Sequence, residues 1–418
     1  MASPPTRKEL AWALYDWGNS AYATTVMVVL FPIFFKEFWH PGTPAESTRA
    51  IFLATSASSL LVALSAPLLG AVADRGGAKV RFLALFTLLG VASTGLMYLV
   101  PGGWWPGALA LFFLSLVGFA GGLVYYDALL VSVARRERLD FVSALGYSLG
   151  YLGGGLLLLL NVVMIARPHW FGASGTDEAT KLALLSAGVW WGMFALPLFL
   201  LVPEDKAAPG ITLRRAAREG LAQFKATFQE IRRLRPVLFF LGAFWLYNDG
   251  VGTVMRTATA FALDMGLPST AIVKALLVTQ FVGFPAALVF GHIGEKLGPR
   301  TGIFICIAAY SLGIMYATGL DTPRDFFILA AFIGLVQGGI QALSRSCFAR
   351  LIPPGKTGEF FGFYNMLGKF AAVAGPQLML LAAWLVPANY SILSLLLLFG
   401  GGAALLSRVQ VPKVSAAP

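Results

Sequence analysis

Charge is what this chain has least of. Asp, Glu, Lys and Arg make up 12% of its 418 residues, against about 25% in a soluble globular domain. That shortage excludes a water-soluble enzyme or binding module of this length. Cysteine is scarcer still. Cys306 and Cys347 are the only two, both near apolar runs, so there is no disulfide framework or CxxC motif and the redox compartment stays open. The three histidines, His40, His169 and His292, stand far apart in sequence. They form no ligand cluster, and no metal or other cofactor is expected. The absence of a GxxxxGKS/T phosphate loop and of any nucleophile motif removes the enzyme classes and ATP-driven transport together. Arg7 and Lys8 precede an apolar run too long for a cleavable leader, with no small-residue cleavage site after it, so no leader is expected.

What the chain does contain is hydrophobic: 57% of residues, with a mean hydropathy of +0.75. That suffices for twelve spans of ~20 residues joined by short loops. The runs predict helices at roughly 12–35, 50–73, 80–100, 107–132, 142–165 and 181–202, then roughly 236–263, 269–291, 299–319, 325–350, 358–385 and 389–408. Trp39, Trp104, Trp105 and Trp170 mark membrane interfaces. The net charge of +11 reflects loop bases rather than a nucleic-acid partner. Placing both termini in the cytoplasm puts 23 Lys and Arg inside and 6 outside, a clear positive-inside bias. Arg345 is counted there as an inner base. Arg256 and Lys369 belong to neither side, because they fall inside spans.

The organisation expected is an N-terminal bundle over 1–202, a cytoplasmic linker over 203–235 and a C-terminal bundle over 236–418. Within the linker, Leu213, Ala217, Leu221, Phe224, Phe228 and Ile231 recur at helical spacing with bases between them. That pattern reads as an amphipathic helix lying on the inner membrane face.

Two loops carry the strongest signal. GAVADRGGAKVR places Gly70, Asp74, Arg75, Gly77 and Lys79 at offsets zero, four, five, seven and nine. GHIGEKLGPR repeats the register with Gly291, Glu295, Lys296, Gly298 and Arg300, 221 positions later. Two matching copies, each between apolar runs, indicate a duplicated membrane bundle. The skeleton resembles the loop signature of the major facilitator superfamily, found between helices 2 and 3 and again between helices 8 and 9. Ala78 and Pro299 stand where that signature has a further basic residue or its equivalent. These ten residues are gating candidates. Asp74 is expected to accept bonds from loop bases and from a helix N-terminus on the other half.

Polar groups inside spans are functional candidates by default, because burying them in lipid costs several kcal/mol unless they face a cavity or a partner. Helix 1 offers Asp16 and Asn19 in LYDWGNSAY, and helix 7 echoes it with Asn248 and Asp249 in LYNDGVG. Helix 4 offers Tyr125, Tyr126 and Asp127. Helix 10 offers Gln337 and Gln341, which share a face that Arg345 extends toward the cytoplasm. Arg256 and Lys369 are the cations at membrane depth, with Asp16, Asp249 or a substrate carboxylate as their expected partners. Asn365 shares the face of Lys369. Gly146 and Gly150 form a GxxxG that suits close helix packing. A buried acid without a permanent cation is the natural proton carrier. Asp127 is the first choice, since the only bases near it on its own helix belong to the loop group at Arg135.

The wording around these residues narrows the resemblance. ELAWALYDWGNSAYATTVMVVLFPIFF, VYYDALLVSVA, VSALGYSLGYLGGG, GGIQALSRSCFARLIP and EFFGFYNMLGKFAAVAGP are similar to the vacuole-effluxer-like branch of that superfamily, whose fungal members are linked to autophagy and export amino acids from the vacuole. The resemblance implies an all-α membrane fold of twelve helices in two pseudo-symmetric six-helix bundles. It also implies secondary transport of a small polar metabolite, amino acids first, by alternating access. Sugars, drugs or lipid-like amphiphiles are the alternative cargo, and a non-transporting membrane sensor is the alternative class. The expected partners are a small-molecule substrate, protons as coupling ion and the lipid bilayer, with no nucleic acid. The expected state is a monomer in the cell membrane.

Overall fold

The computed structural model describes residues 4–205, 225–264, 266–320, 322–371 and 374–412. The described chain is helical. In order, α1 is Arg7–Trp39, α2 Pro44–Gly76, α3 Lys79–Leu99, α4 Trp105–Val133, α5 Arg136–Ala166 and α6 Thr176–Leu201. After the linker come α7 Arg235–Asp264, α8 Ser269–Leu297, α9 Pro299–Ala317 and α10 Pro323–Leu351. Next, α11 comprises Thr357–Phe370 and Ala374–Ala383. Finally, α12 is a 3-10 stretch, Ala388–Leu395, running into Leu396–Leu406. Among the described residues eleven helices are long and apolar enough to cross a membrane, and the apolar Tyr390–Leu406 is shorter.

Several helices run past the apolar stretches that announce them. α2 begins at Pro44 because Thr43 and Glu46 form a capping box, and α10 begins at Pro323 behind the same device in Thr322 and Asp325. Hydropathy reports the lipid-facing length, whereas capping groups decide where the helix stops. α1 departs from regular geometry in another way, with π-helical turns at Ala23–Leu30 and Phe35–Trp39. Trp39, expected at an interface, is fully buried among Phe31, Phe34 and Phe38, while Trp104 and Trp170 are exposed.

Within the first bundle α1 packs on α5 and α6, and α4 on α2 and α3. Within the second, α7 packs on α12 and α10 on α8 and α9. The bundles meet along α2 with α11 and along α5 with α8, pairs that a two-fold pseudo-symmetry exchanges. Of the six apolar positions expected on the linker helix, Phe228 and Ile231 lie in a helical stretch over 225–233. The other four lie outside the described residues. The linker, the N-terminus and both duplicated loops share one end of the molecule, here the linker face; the opposite end is the far face.

Each duplicated loop follows a helix crossing between bundles. At Gly70 a Cβ would lie 2.2 Å from the backbone oxygen of Gly358 in α11. At Gly291 it would lie 2.6 Å from the Cβ of Ala144 in α5. Only a residue without a side chain permits that approach at Gly70, where the obstacle is backbone. Gly77 closes α2 in the left-handed region with φ 55°.

Gly70→Val is expected to lower stability by about 1–3 kcal/mol through overpacking, seen as a lower thermal midpoint in detergent. Gly400→Ala, where a Cβ meets nothing within 4 Å, is expected to leave the midpoint unchanged.

Candidate substrate and gating site

The centre of the molecule is organised by Arg345. It lies on α10 six residues before the helix end, and its side chain is 2% exposed. It is therefore inside the span, not among the loop bases with which the sequence groups it. Its guanidinium donates to Asp127 of α4 at 3.1 Å, and to the hydroxyl and carbonyl oxygens of Ser143 on α5 at 2.9 and 2.8 Å. It also sits over the rings of Trp12, Tyr126 and Tyr147, 4.4–5.3 Å from their centroids, where the ring faces attract a cation. Trp12 and Tyr126 stack at 4.4 Å, and the Trp12 indole N–H donates to the Tyr126 carbonyl.

This arrangement corrects the premise behind Asp127. Its cation comes from the other bundle, together with a bond from the Asn365 amide at 3.1 Å, and same-helix spacing cannot reveal that. Asp16, by contrast, has no cation bonded to it among the described residues, a feature it shares with Asp249. It accepts from Ser20 at 2.9 Å and from the Tyr126 hydroxyl at 3.3 Å. The α5 glycines make room for these groups: a Cβ at Gly146 would lie 2.8 Å from the Tyr126 hydroxyl, and one at Gly150 2.6 Å from Ser20 Oγ.

Other sequence candidates are drawn away from this centre. Tyr125 packs against Phe82 and Phe86 of α3. Gln337 pairs with Tyr310 and Gln341 with Asn248, both inside the second bundle. Arg256 does not reach Asp16. It donates to the Thr253 hydroxyl at 3.1 Å, which in turn donates to Asp249. Asp249 also accepts from the Ala374 N–H at 2.7 Å. Asn19 is buried, and its carbonyl oxygen has no hydrogen-bond partner among the described residues. Lys369 is half-buried one turn beyond Asn365 and has no hydrogen-bond or ion-pair partner among the described residues.

Nearer the linker face the bundles are tied again. Asp74 accepts from the N–H groups of Gly358 and Glu359 at 2.9 and 2.8 Å, which are free donors in the first turn of α11. Lys79 bonds Asp74 at 2.9 Å and the Thr357 hydroxyl at 2.6 Å. Arg350 pairs with Asp140 at 2.7 Å, and Ser143 donates to the Ala342 carbonyl. The second loop does not copy these contacts. Glu295 and Lys296 are exposed, Glu295 makes no hydrogen bond among the described residues, and Arg300 instead donates to the Ser407 carbonyl. Trp12, Ser143, Tyr147, Asp140 and Arg350 escaped the sequence reading. Only the pair of arginines near the end of a single span hinted that one was inside.

A match to the model of the vacuole effluxer Atg22-like family covers residues 42–416. The chain belongs to that family. It is 36% identical over 412 residues to an uncharacterized MFS-type transporter, YxiO, of Bacillus subtilis, covering 97% of this chain and 95% of that one. It is 29% identical to autophagy-related protein 22 of Pyricularia oryzae over 57% of this chain. The chain spans less than half the length of such fungal relatives, 38% in that case and 46% for the Yarrowia lipolytica protein. Among solved structures, the human organic anion transporter MFSD10 superposes with a TM-score of 0.71 at 16% identity, covering 97% of this chain and all of that one. The proton:xylose symporter XylE superposes at 0.67 and 14% identity, covering 97% and 95%. At these identities the likeness carries the fold alone, which is the major facilitator fold. The effluxer family member is thus an integral membrane transporter and not an enzyme.

Removing one member of a buried ion pair is strongly destabilising, by about 3–5 kcal/mol. Arg345→Met and Asp127→Asn are each expected to lower unfolding stability in detergent. The double variant is expected to fall short of their sum by about 0.5–3 kcal/mol. A double-mutant cycle measures that coupling.

Proposed function

We propose that this transporter carries a small polar metabolite, amino acids first, by alternating access between its two six-helix halves. Its linker face is the cytoplasmic side, it works as a monomer in the cell membrane, and it couples transport to protons. The observation that carries the reading is the position of the ties between halves. Arg345–Asp127, Arg350–Asp140 and Asp74 on α11 all gather toward the linker face. Among the described residues, the bond between halves farthest from that face, Gln280 to Thr24 at 2.9 Å, lies near mid-span. In this reading the conformation is closed to the cytoplasm, and transport requires these ties to break.

Lys369 and Asp16 take the substrate and proton roles. Lys369 stands beyond Asn365 toward mid-span, ready for a substrate carboxylate. A charged hydrogen bond there is worth about 1.5–3 kcal/mol. Asp16 is held by two hydroxyls and no bonded cation, the arrangement that lets an acid gain and lose a proton without breaking an ion pair. It replaces Asp127 as the coupling residue.

A second reading rests on a cavity of about 580 Å³ near the far face, bounded by α1, α5, α6 and α8. Most of its wall is apolar, including Val29, Ile33, Phe34, Val162 and Leu277, with Glu37, Asp177 and Lys274 also lining it. Such a wall suits an amphiphile.

Flux of labelled amino acids, sugars and amphiphiles into proteoliposomes separates the readings. Amino acids are expected to accumulate uphill only when a proton gradient is imposed. Asp16→Asn is expected to abolish accumulation while leaving exchange, and Lys369→Gln to weaken substrate affinity by roughly 10–100-fold. Flux of amphiphiles alone would favour the second reading.

A further inference from the structure

The first half holds Arg345 in the way a protein holds a bound cation. The guanidinium carbon lies 4.7 Å from the Trp12 ring centroid, 5.3 Å from that of Tyr126 and 4.4 Å from that of Tyr147. Nη1 donates to Asp127, while Nε and Nη2 donate to the hydroxyl and carbonyl oxygens of Ser143. Every one of these partners belongs to α1, α4 or α5, whereas Arg345 comes from α10. The first half by itself therefore carries the parts of a cation site: three ring faces, a carboxylate and two neutral oxygens. Ring faces attract a cation through their quadrupole, and the attraction grows when the contact is dry.

The cage is held in shape by contacts that do not involve the second half. Trp12 and Tyr126 stack with an interplanar angle of 8°, and the Trp12 indole N–H donates to the Tyr126 carbonyl. Tyr15 also stacks on Tyr126, at 5.0 Å, and the Tyr126 hydroxyl donates to Asp16. Gly146 keeps one wall bare. A Cβ there would lie 2.8 Å from the Tyr126 hydroxyl, 2.9 Å from the Trp12 ring and 3.2 Å from Arg345 Nη2. A methyl at that position would intrude on two walls and the occupant together.

Building on the alternating-access reading, we infer that Arg345 is a tethered stand-in for the cargo: when the linker-face ties break, it withdraws with α10, and an ammonium group of the substrate takes its place against Asp127 and the rings of Trp12, Tyr126 and Tyr147. One cation then replaces another beside the same carboxylate, so Asp127 is never left buried and unpaired. A neutral cargo such as a sugar cannot make this exchange. An amino acid can, and its carboxylate is left for Lys369. Because Lys369 lies on α11 and the cage on α1, α4 and α5, the two charged ends of the cargo are read by opposite halves. In the closed conformation Arg345 fills the cage, so the ammonium site exists only once the linker face has opened.

The test uses the full-length protein in lipid nanodiscs, with tetramethylammonium as the probe and sodium at equal concentration as the reference. Spin labels at Arg81→Cys and Pro354→Cys, on opposite halves at the linker face, report its opening. The native cysteines are both buried. The probe is expected to raise the ratio of open to closed distances, because it binds only the cage that Arg345 has left. The fold rise over each variant's own probe-free ratio reports the affinity of the open cage alone. Tyr147→Phe keeps a ring and is expected to retain most of that rise. Tyr147→Leu is expected to need about ten-fold more probe for the same rise. Tyr390→Leu, which removes an exposed ring outside the cage, is expected to match the parent. In Arg345→Ala, whose cage is vacant, the probe is expected to raise the thermal midpoint more than in the parent. If Arg345→Ala fails to fold, the distances decide alone. No rise in the parent, or an equal rise in Tyr147→Leu, overturns the inference. Absence of amino-acid flux in the parent overturns the transport reading instead, and the distances still report on the cage.

Discussion

A charge within an apolar layer needs a partner, and in this molecule each half supplies partners for the other. The first bundle contributes the carboxylates Asp74, Asp127 and Asp140. The second answers with the N-terminus of α11, Arg345 and Arg350. Removing one partner strands a buried charge, whereas separating the halves toward water lets both partners hydrate. That asymmetry explains how an interface can be specific and still open. The ties lie at different depths: Asp74 is bonded near the helix ends, while Arg345 is enclosed by three aromatic rings.

Backbone proximity makes these pairings possible. Gly70 and Gly358 bring α2 and α11 so close that Asp74 reaches two amide donors directly. Gly291 gives α8 the same intimacy with α5. The two copies agree in steric geometry and differ in electrostatics, since Glu295 is left exposed and Asp140 turns to Arg350. The duplication preserved the crossing, while among the described residues only the first loop's acid bonds a helix N-terminus of the other half. The described ends of the linker reach Lys79 and Glu359 on that same side.

Much of this architecture was legible in the residues themselves. Apolar runs separated by basic loops determine twelve helices, because helices alone satisfy their backbone groups within lipid. A five-residue skeleton repeated at one register determines the duplication and the place of both loops at one end of the bundle. The acid of the first loop was readable as a helix-capping group, since a carboxylate beside an N-terminus is a local electrostatic fit that needs no knowledge of which helix arrives. Tertiary structure alone decided which polar residues meet. A membrane helix that is apolar nearly all round carries little periodic signal to orient it, so Tyr125 and Tyr126, adjacent in sequence, face different neighbours. The partner of Asp127 stands 218 residues away on the other half. Ion pairing depends on distances of a few ångströms between helices, and spacing along one helix is blind to them.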